Sequence, residues 1–212
     1  MLYLDCSNGV SGDMLVGALV DLGADFEKIE DAVSGIAEVD LHEVNKKGVK
    51  AKKFYVKFTP ERRDYVSLKK QISGLQISQR SKKLATGILK TLALAESRAH
   101  RVPPEEIHLH EAVDSIVDAI SFSIAIENLK INGVTSSIVS VGKVAPATDN
   151  IIKQNKIPVV FKSDMEIATP TGAAILTNIV DKFENLEANG KAGFGAGDFD
   201  LPYPNVLRAV LL

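Results

Sequence analysis

Apolar positions along the chain recur with two periods, one near 3.6 and one near 2, and their order predicts a mixed sheet with flanking helices. Met1 to Cys6 reads as a short buried strand, followed by the loop Ser7-Asn8-Gly9-Val10-Ser11-Gly12-Asp13. A helix from about Asp13 through Leu22 carries Met14, Leu15, Ala18, Leu19 and Leu22 on its apolar face. Gly23 closes it, and a second helix fits Phe26 to Ile36. Val39 to Phe58 predicts a hairpin: Asn45-Lys46-Lys47-Gly48 supplies the turn, and Phe54, Val56 and Phe58 alternate with Tyr55 and Lys57. Helices follow over roughly Ser67 to Ser73 and Ser78 to His100, the second long, amphipathic and capped by Ser78. Pro103-Pro104 ends it and leaves Ile107 to His110 short and extended. From about Glu111 the spacing of Val113, Ile116, Val117, Ile120 and Ile124 is helical, to about Leu129. Ile138 to Val144 is β-rich, Ala145-Pro146-Ala147-Thr148 opens a short helix to Asn155, and Pro158 to Phe161 is a brief strand. Thr169-Pro170 caps a helix to about Phe183. Gly193 to Asp198 is a glycine-spaced loop or strand, and Asn205 to Leu212 a terminal strand. The class is α/β, with mixed α+β as the alternative. One domain over 1–212 is expected, with 39–101 as a candidate hairpin-plus-helix subdomain.

Composition narrows the chemistry. The chain has 212 residues, enough to bury a full core, with 45% hydrophobic and 25% charged residues. A formal net charge of −2 gives no bulk pull towards nucleic acid or an acidic membrane, and the absence of tryptophan argues against a base-stacking surface. The single cysteine, Cys6, excludes an intrachain disulfide and a cysteine-cage zinc site. No apolar run approaches membrane-spanning length and the N-terminus lacks a basic, hydrophobic leader, so a cytoplasmic location is expected. Six lysines between Lys46 and Lys57 make the hairpin basic, which suits either a protected strand edge or a phosphate-facing patch.

The densest chemistry lies at His108-Leu109-His110-Glu111-Ala112-Val113-Asp114-Ser115-Ile116-Val117-Asp118, two imidazoles and three carboxylates in eleven residues. In an extended segment His108 and His110 share a face, and on the helix Asp114 and Asp118 lie one above the other. Imidazole nitrogen beside carboxylate oxygen is a ligand set for nickel, zinc, iron or manganese. His108, His110, Glu111, Asp114 and Asp118 are therefore the candidate metal ligands. The bland alternative is a strand-to-helix turn with solvated carboxylates.

Two further loops precede helices. A strand, a glycine-containing loop and a helix aim backbone N–H groups at an anion, so Ser11 and Gly12 are candidates for holding a phosphate. Ser11 or Asp13 serves equally well as a simple N-cap. No lysine follows Gly12, which rules out a Walker loop. Asp5 at the strand end and Asp13 at the helix start form a second candidate pair of carboxylates, placed with Glu111 among the catalytic candidates. Thr169, Thr171 and Gly172 offer hydroxyls and N–H groups to a phosphate or carboxylate, or form a capped buried helix. The run Gly193-Phe194-Gly195-Ala196-Gly197 lacks a following helix and is no dinucleotide fingerprint.

Taken together, Asp5-Cys6-Ser7-Asn8-Gly9-Val10-Ser11-Gly12-Asp13-Met14, the histidine–carboxylate stretch and Thr169-Pro170-Thr171-Gly172-Ala173-Ala174 resemble, in that order, the LarC-type nickel insertion proteins. Arg101-Val102-Pro103-Pro104-Glu105-Glu106, Gly193 to Gly197 and Pro204-Asn205-Val206-Leu207-Arg208 are similar to that family too, so the resemblance covers nearly the whole chain. It implies Ni²⁺ insertion into pyridinium-3,5-bisthiocarboxylic acid mononucleotide during nickel-pincer cofactor biosynthesis, a CTP-dependent lyase-class chelatase reaction with Mg²⁺ or Mn²⁺. Family proteins usually continue into a C-terminal domain, expected here as a separate partner, with a homo-oligomer as the alternative. Where members often carry a histidine-rich loop, this chain has Pro60-Glu61-Arg62-Arg63-Asp64-Tyr65, which argues against metal storage. Two rival readings remain: a non-catalytic scaffold subunit, and a divalent-metal-dependent hydrolase or phosphotransferase using Asp5 and Asp13.

Overall fold

The computed structural model describes residues 1–57, 63–109 and 112–212, and of Arg63, His108, Leu109 and Ala112 the backbone alone. Strand β1 (Leu2–Asp5) is followed by helices α1 (Gly12–Asp21) and α2 (Phe26–Val33). The hairpin strands β2 (Glu38–Lys46) and β3 (Val49–Lys57) meet in a two-residue turn. Lys47 at φ 52 and Gly48 at φ 91 are both left-handed, and Gly48 donates its N–H to Asn45 Oδ1 at 2.8 Å. That is the primed turn whose twist suits a hairpin. Next come β4 (Arg63–Asp64), α3 (Tyr65–Gly74), α4 (Gln79–His100), a 3₁₀ turn at Pro104–Glu106, β5 (His108–Leu109) and α5 (Ala112–Asn128). The rest alternates: β6 (Val134–Ser136), β7 (Val139–Val141), α6 (Pro146–Asn155), β8 (Val159–Phe161), α7 (Pro170–Ile179), β9 (Lys182–Phe183), β10 (Lys191–Ala196) and β11 (Val206–Leu211).

Seven of these strands form one mixed sheet in the order β2-β3-β10-β11-β1-β6-β9, so the fold is α/β. β1 runs parallel to β6 and antiparallel to β11, and β3 runs parallel to β10. Strand alternation sends Leu2, Leu4, Leu207 and Ala209 into the main core, while Tyr3, Val206 and Val210 enter two small clusters apart from it. Burial on both faces explains why β1 and β11 read as continuous apolar runs. β4 pairs antiparallel with β5, joining the segment before α3 to the segment that leads into α5.

Three boundaries differ from the sequence expectation, each for a local reason. The helix expected to reach Phe183 stops at Ile179. Asp181 takes over: its N–H donates to Val134 O and its Oδ2 accepts the Val134 N–H, which draws Lys182–Phe183 alongside β6. The β-rich stretch from Ile138 to Val144 contributes only β7, paired with β8 in a separate two-stranded sheet. α2 ends at Val33, whose carbonyl accepts the N–H of both Ile36 and Ala37 in the turn beyond it.

α5 is the centre of the helical layer, with Ile116, Val117, Ala119, Ile120, Phe122 and Ala125 fully buried. α1 fills the space between it and the sheet and lies unusually close to the strands. A Cβ at Gly17 would meet the Lys52 carbonyl, and one at Gly193 would stand 2.7 Å from Leu22 N. The glycine run that could have been a loop is thus strand β10, with glycines where α1 crosses it. Among the described residues no helix is long and apolar enough to cross a membrane.

Candidate functional site

Three helix N-termini converge because two loops are stitched together by backbone. Val10 N–H donates to Ile167 O at 2.8 Å and Thr169 N–H to Val10 O at 3.0 Å, a parallel bridge between Val10 and Ala168. Thr169 caps α7, its hydroxyl accepting the Gly172 N–H at 3.2 Å, with Pro170 in the first turn. A Cβ at Gly172 would stand 2.5 Å from Val10 O and 2.9 Å from Ser11 Cα, so only glycine lets the two loops touch. The Gly172 N–H is therefore engaged in the cap, and the residue's role is close approach. Gly172→Ala should cost about 1–3 kcal/mol, the usual penalty of overpacking, read as a lower urea midpoint. An unchanged midpoint would mean that the loops are not held together there.

α1 starts without a side-chain cap, and Ser11 instead donates its hydroxyl to Asp13 Oδ1. Gly12 faces α5: a Cβ there would stand 2.7 Å from Asp118 Cγ, so the first turn of α1 lies directly over that carboxylate. Ser115 and Thr171 hydroxyls meet at 3.0 Å, linking α5 to α7. The resulting cavity, about 450 Å³, is lined by Ser11, Gly12, Asp13, Asp114, Ser115, Asp118, Thr169 and Thr171, together with Lys53, Glu96, Glu166 and Asp198. A larger cavity of about 690 Å³ beside the C-terminal end of α5 contains none of the candidate catalytic, phosphate-binding or metal-ligating residues. The chemistry favours the smaller one.

Electrostatics set this cavity apart. Its described lining holds the six carboxylates of Asp13, Glu96, Asp114, Asp118, Glu166 and Asp198 against the one ammonium of Lys53. Asp118 is 2% exposed, and its Oδ1 has no hydrogen-bond partner among the described residues. Burial, reinforced by the neighbouring charges of Asp114 and Asp13, pushes its carboxyl well above the ordinary value. Lys53 is 4% exposed and pairs with Asp13 Oδ2 and, at 2.6 Å, with Asp198 Oδ1. Burial alone would lower its pKa, but the two carboxylates outweigh that and raise it, so it stays an ammonium.

The sequence candidates separate accordingly. Ser11, Gly12, Asp13, Asp114, Asp118, Thr169 and Thr171 come together around one cavity, with Gly172 packed behind them. Asp5 does not line it; its carboxylate accepts the Ser7 N–H at 3.0 Å in a local turn. His110, Glu111 and the His108 side chain lie outside the described residues, and with them the expectation that the two imidazoles share a face. Among the described residues no three His, Cys, Asp or Glu side chains are grouped so as to hold a metal ion.

Lys53 and Asp198 were missed. In the hairpin, Lys46 reaches the Asp198 and Phe199 carbonyls, Lys47 pairs with Asp200, Lys50 and Lys52 with Glu43, and Lys57 with Glu38 and Asp40. Those five lysines make ion pairs and carbonyl contacts over the hairpin surface, whereas Lys53 turns inward. The signal was there: adjacent lysines at 52 and 53 in a strand must face opposite ways.

The sequence profile of the nickel insertion protein family matches residues 2–212. The chain belongs to the nickel insertion protein family. Across its whole length it is 36% identical to the pyridinium-3,5-bisthiocarboxylic acid mononucleotide nickel insertion protein of Geobacillus kaustophilus, covering 59% of that protein. It is 35% identical to the protein of the same name from Thermotoga petrophila, covering 60% of it. For the Staphylococcus epidermidis relative, identity is 36%, over 99% of this chain and 58% of the relative. The chain therefore spans about three-fifths the length of the curated relatives it matches. No solved structure matches it.

Proposed function

We propose that this chain is the nickel-handling module of a pyridinium-3,5-bisthiocarboxylic acid mononucleotide nickel insertion protein. The observation that carries the reading is the acidic cavity at the joined N-termini of α1, α5 and α7, with the buried carboxyl of Asp118 at its base. Insertion requires that Ni²⁺ be taken up, held in reach of the substrate, and then surrendered to thiocarboxylate sulfur. Imidazole and carboxylate bind nickel yet remain exchangeable, whereas a thiolate cage would compete with the substrate's own sulfur. His108, His110 and Glu111 precede Asp114 and Asp118 in the sequence, and these five are the proposed nickel ligands and their orienting partners. The Thr171 hydroxyl, partnered by another hydroxyl, is free to turn towards a phosphate oxygen; Thr169, Ser11, Gly12 and Gly172 shape the backbone around it. A cleft this acidic draws in the cation first, and the bound cation then offsets the charge of the anionic substrate. CTP, with Mg²⁺ or Mn²⁺, and a partner supplying the remaining length of the relatives belong to the same proposal.

Nickel titration by calorimetry tests it. The chain should bind Ni²⁺ weakly and reversibly, with affinity falling as the pH drops below about 6.5, where protons compete for imidazole. The double variant His108→Ala, His110→Ala should lose about tenfold in affinity, and Asp114→Asn should also weaken binding because the amide keeps the shape without the charge. A parent chain that binds no nickel would overturn the reading. A double variant that binds as well as the parent would remove the histidines from it.

A further inference from the structure

We propose that Lys53 is a tethered counter-ion of the cleft: its ammonium holds Asp13 while no divalent cation is present, and moves out onto Asp198 when one arrives. The inference rests on the nickel-handling reading above and adds a residue that competes with the cargo. Lys53 bridges two unlike carboxylates. Asp13, at the start of α1, has a side chain only 18% exposed, whereas that of Asp198, in the segment after β10, is 76% exposed. The ammonium therefore has an inner partner and an outer one. The Tyr55 ring, 5.5 Å from Nζ and half exposed on β3, gives it a further favourable contact on the outer side. A lysine stem of four rotatable bonds can make the short shift without moving the strand.

What would replace it is set by the base of the cavity. Asp118 Oδ1 is buried, lines the same space and has no donor among the described residues, so one oxygen ligand waits for a cation. Asp13 is engaged by Lys53, and no three described carboxylates are grouped as a ready metal site. Releasing Asp13 adds a second oxygen beside the first, since Gly12, its chain neighbour, lies against the Asp118 carboxylate. At equal distance a dication attracts each carboxylate twice as strongly as an ammonium does, and that difference is the drive for the exchange. Holding Lys53 on Asp13 meanwhile keeps a strongly acidic cavity partly neutralised.

Calorimetric titration of the full chain with nickel chloride, comparing the parent with Lys53→Met and Asp198→Asn, tests this. Lys53→Met removes the competitor and should bind Ni²⁺ about tenfold more tightly. Asp198→Asn removes the outer resting place and should bind about threefold more weakly, because the ammonium then remains on Asp13. An ion pair that merely supports the fold predicts the reverse for Lys53→Met: weaker or unchanged binding. If Lys53→Met does not fold, Lys53→Gln takes its place, tighter binding than the parent supporting the exchange and unchanged or weaker binding overturning it. Binding by the parent that Lys53→Met does not tighten overturns this inference only. No binding by any of the three overturns the nickel-handling reading as well.

Discussion

Gly195→Val is expected to leave no stably folded protein. A Cβ at Gly195 would lie within contact of the Met14 carbonyl oxygen and 2.7 Å from both Ala18 N and Met14 C. These are backbone atoms in the middle of α1, whose residues Leu15, Val16, Ala18 and Leu19 are 0% exposed, so no side chain can swing away to make room. Relief would require lifting α1 off β10, and with it the contact between α1 and α5 that forms the cavity. Overpacking against backbone on this scale belongs with the rare substitutions that cost more than about 4 kcal/mol. Against a total of about 5–15 kcal/mol for an ordinary domain, that approaches the whole at the lower end of the range. Gly195→Ala should already lower the urea midpoint markedly. Gly35→Ala, where a Cβ meets nothing within 4 Å, is the control and should stay within about 0.5 kcal/mol of the parent. A Gly195→Val protein with the parent's cooperative melt would mean that α1 does not cross β10 as described.

That helix–strand contact also marks how far the sequence could be read. Periodicity located α1, α4, α5 and the hairpin because each buries a regular stripe, and a stripe is visible in one dimension. It could not say why Gly193 and Gly195 alternate along β10. The reason lies in residues 14 to 22, nearly the whole chain away, whose backbone comes too close for a side chain. Short strands escaped for a related reason. β6 and β9 have three and two residues, too few to show a period, and they exist because Asp181 bonds the Val134 backbone.

The candidate site was legible in its parts and not in its electrostatics. Asp13, Asp114, Thr169 and Thr171 stood out because each caps a helix or lies in its first turn, and Asp118 because it follows Asp114 by four residues on one helix face. Their convergence needed the Val10–Ala168 bridge, which nothing local announces. Lys53 went unrecognised because a lysine in an exposed hairpin ordinarily sits on the surface, and the other five described above make surface contacts. Only its partners, Asp13 on α1 and Asp198 beyond β10, distinguish it, and both are remote in sequence. Asp5 sits at a strand end as expected but outside the cavity lining, its carboxylate accepting the Ser7 N–H in a local turn that the strand pattern does not announce.

Raising the pH should destabilise the parent relative to Asp118→Asn, with the gap widest in alkaline solution. The Asp118 carboxyl starts from an ordinary value of 3.8 and is pushed well above it in the folded chain, first by burial and then by the charges of Asp114 and Asp13. Once the pH exceeds the ordinary value, the unfolded chain has released this proton while the folded chain still holds it. The unfolded state then binds fewer protons, so stability falls as the pH rises, and it goes on falling until the folded carboxyl ionises too. Below the ordinary value both states are protonated and the effect vanishes. Asp25, Asp40, Asp64 and Glu127 have the opposite sign, because hydrogen bonds from Lys28, Lys57, Ser67 and Ser78 respectively lower them. They add stability as the pH rises past about 4 and lose it in acid. The parent should therefore be most stable in mildly acidic solution. Asparagine keeps the shape of the protonated side chain and has no proton to lose, so Asp118→Asn deletes only the alkaline limb. Urea denaturation from about pH 3 to pH 9 should give curves that converge in acid and separate in alkali. Parallel curves across that range would mean that Asp118 ionises freely in the folded protein and that the base of the cavity is open to water.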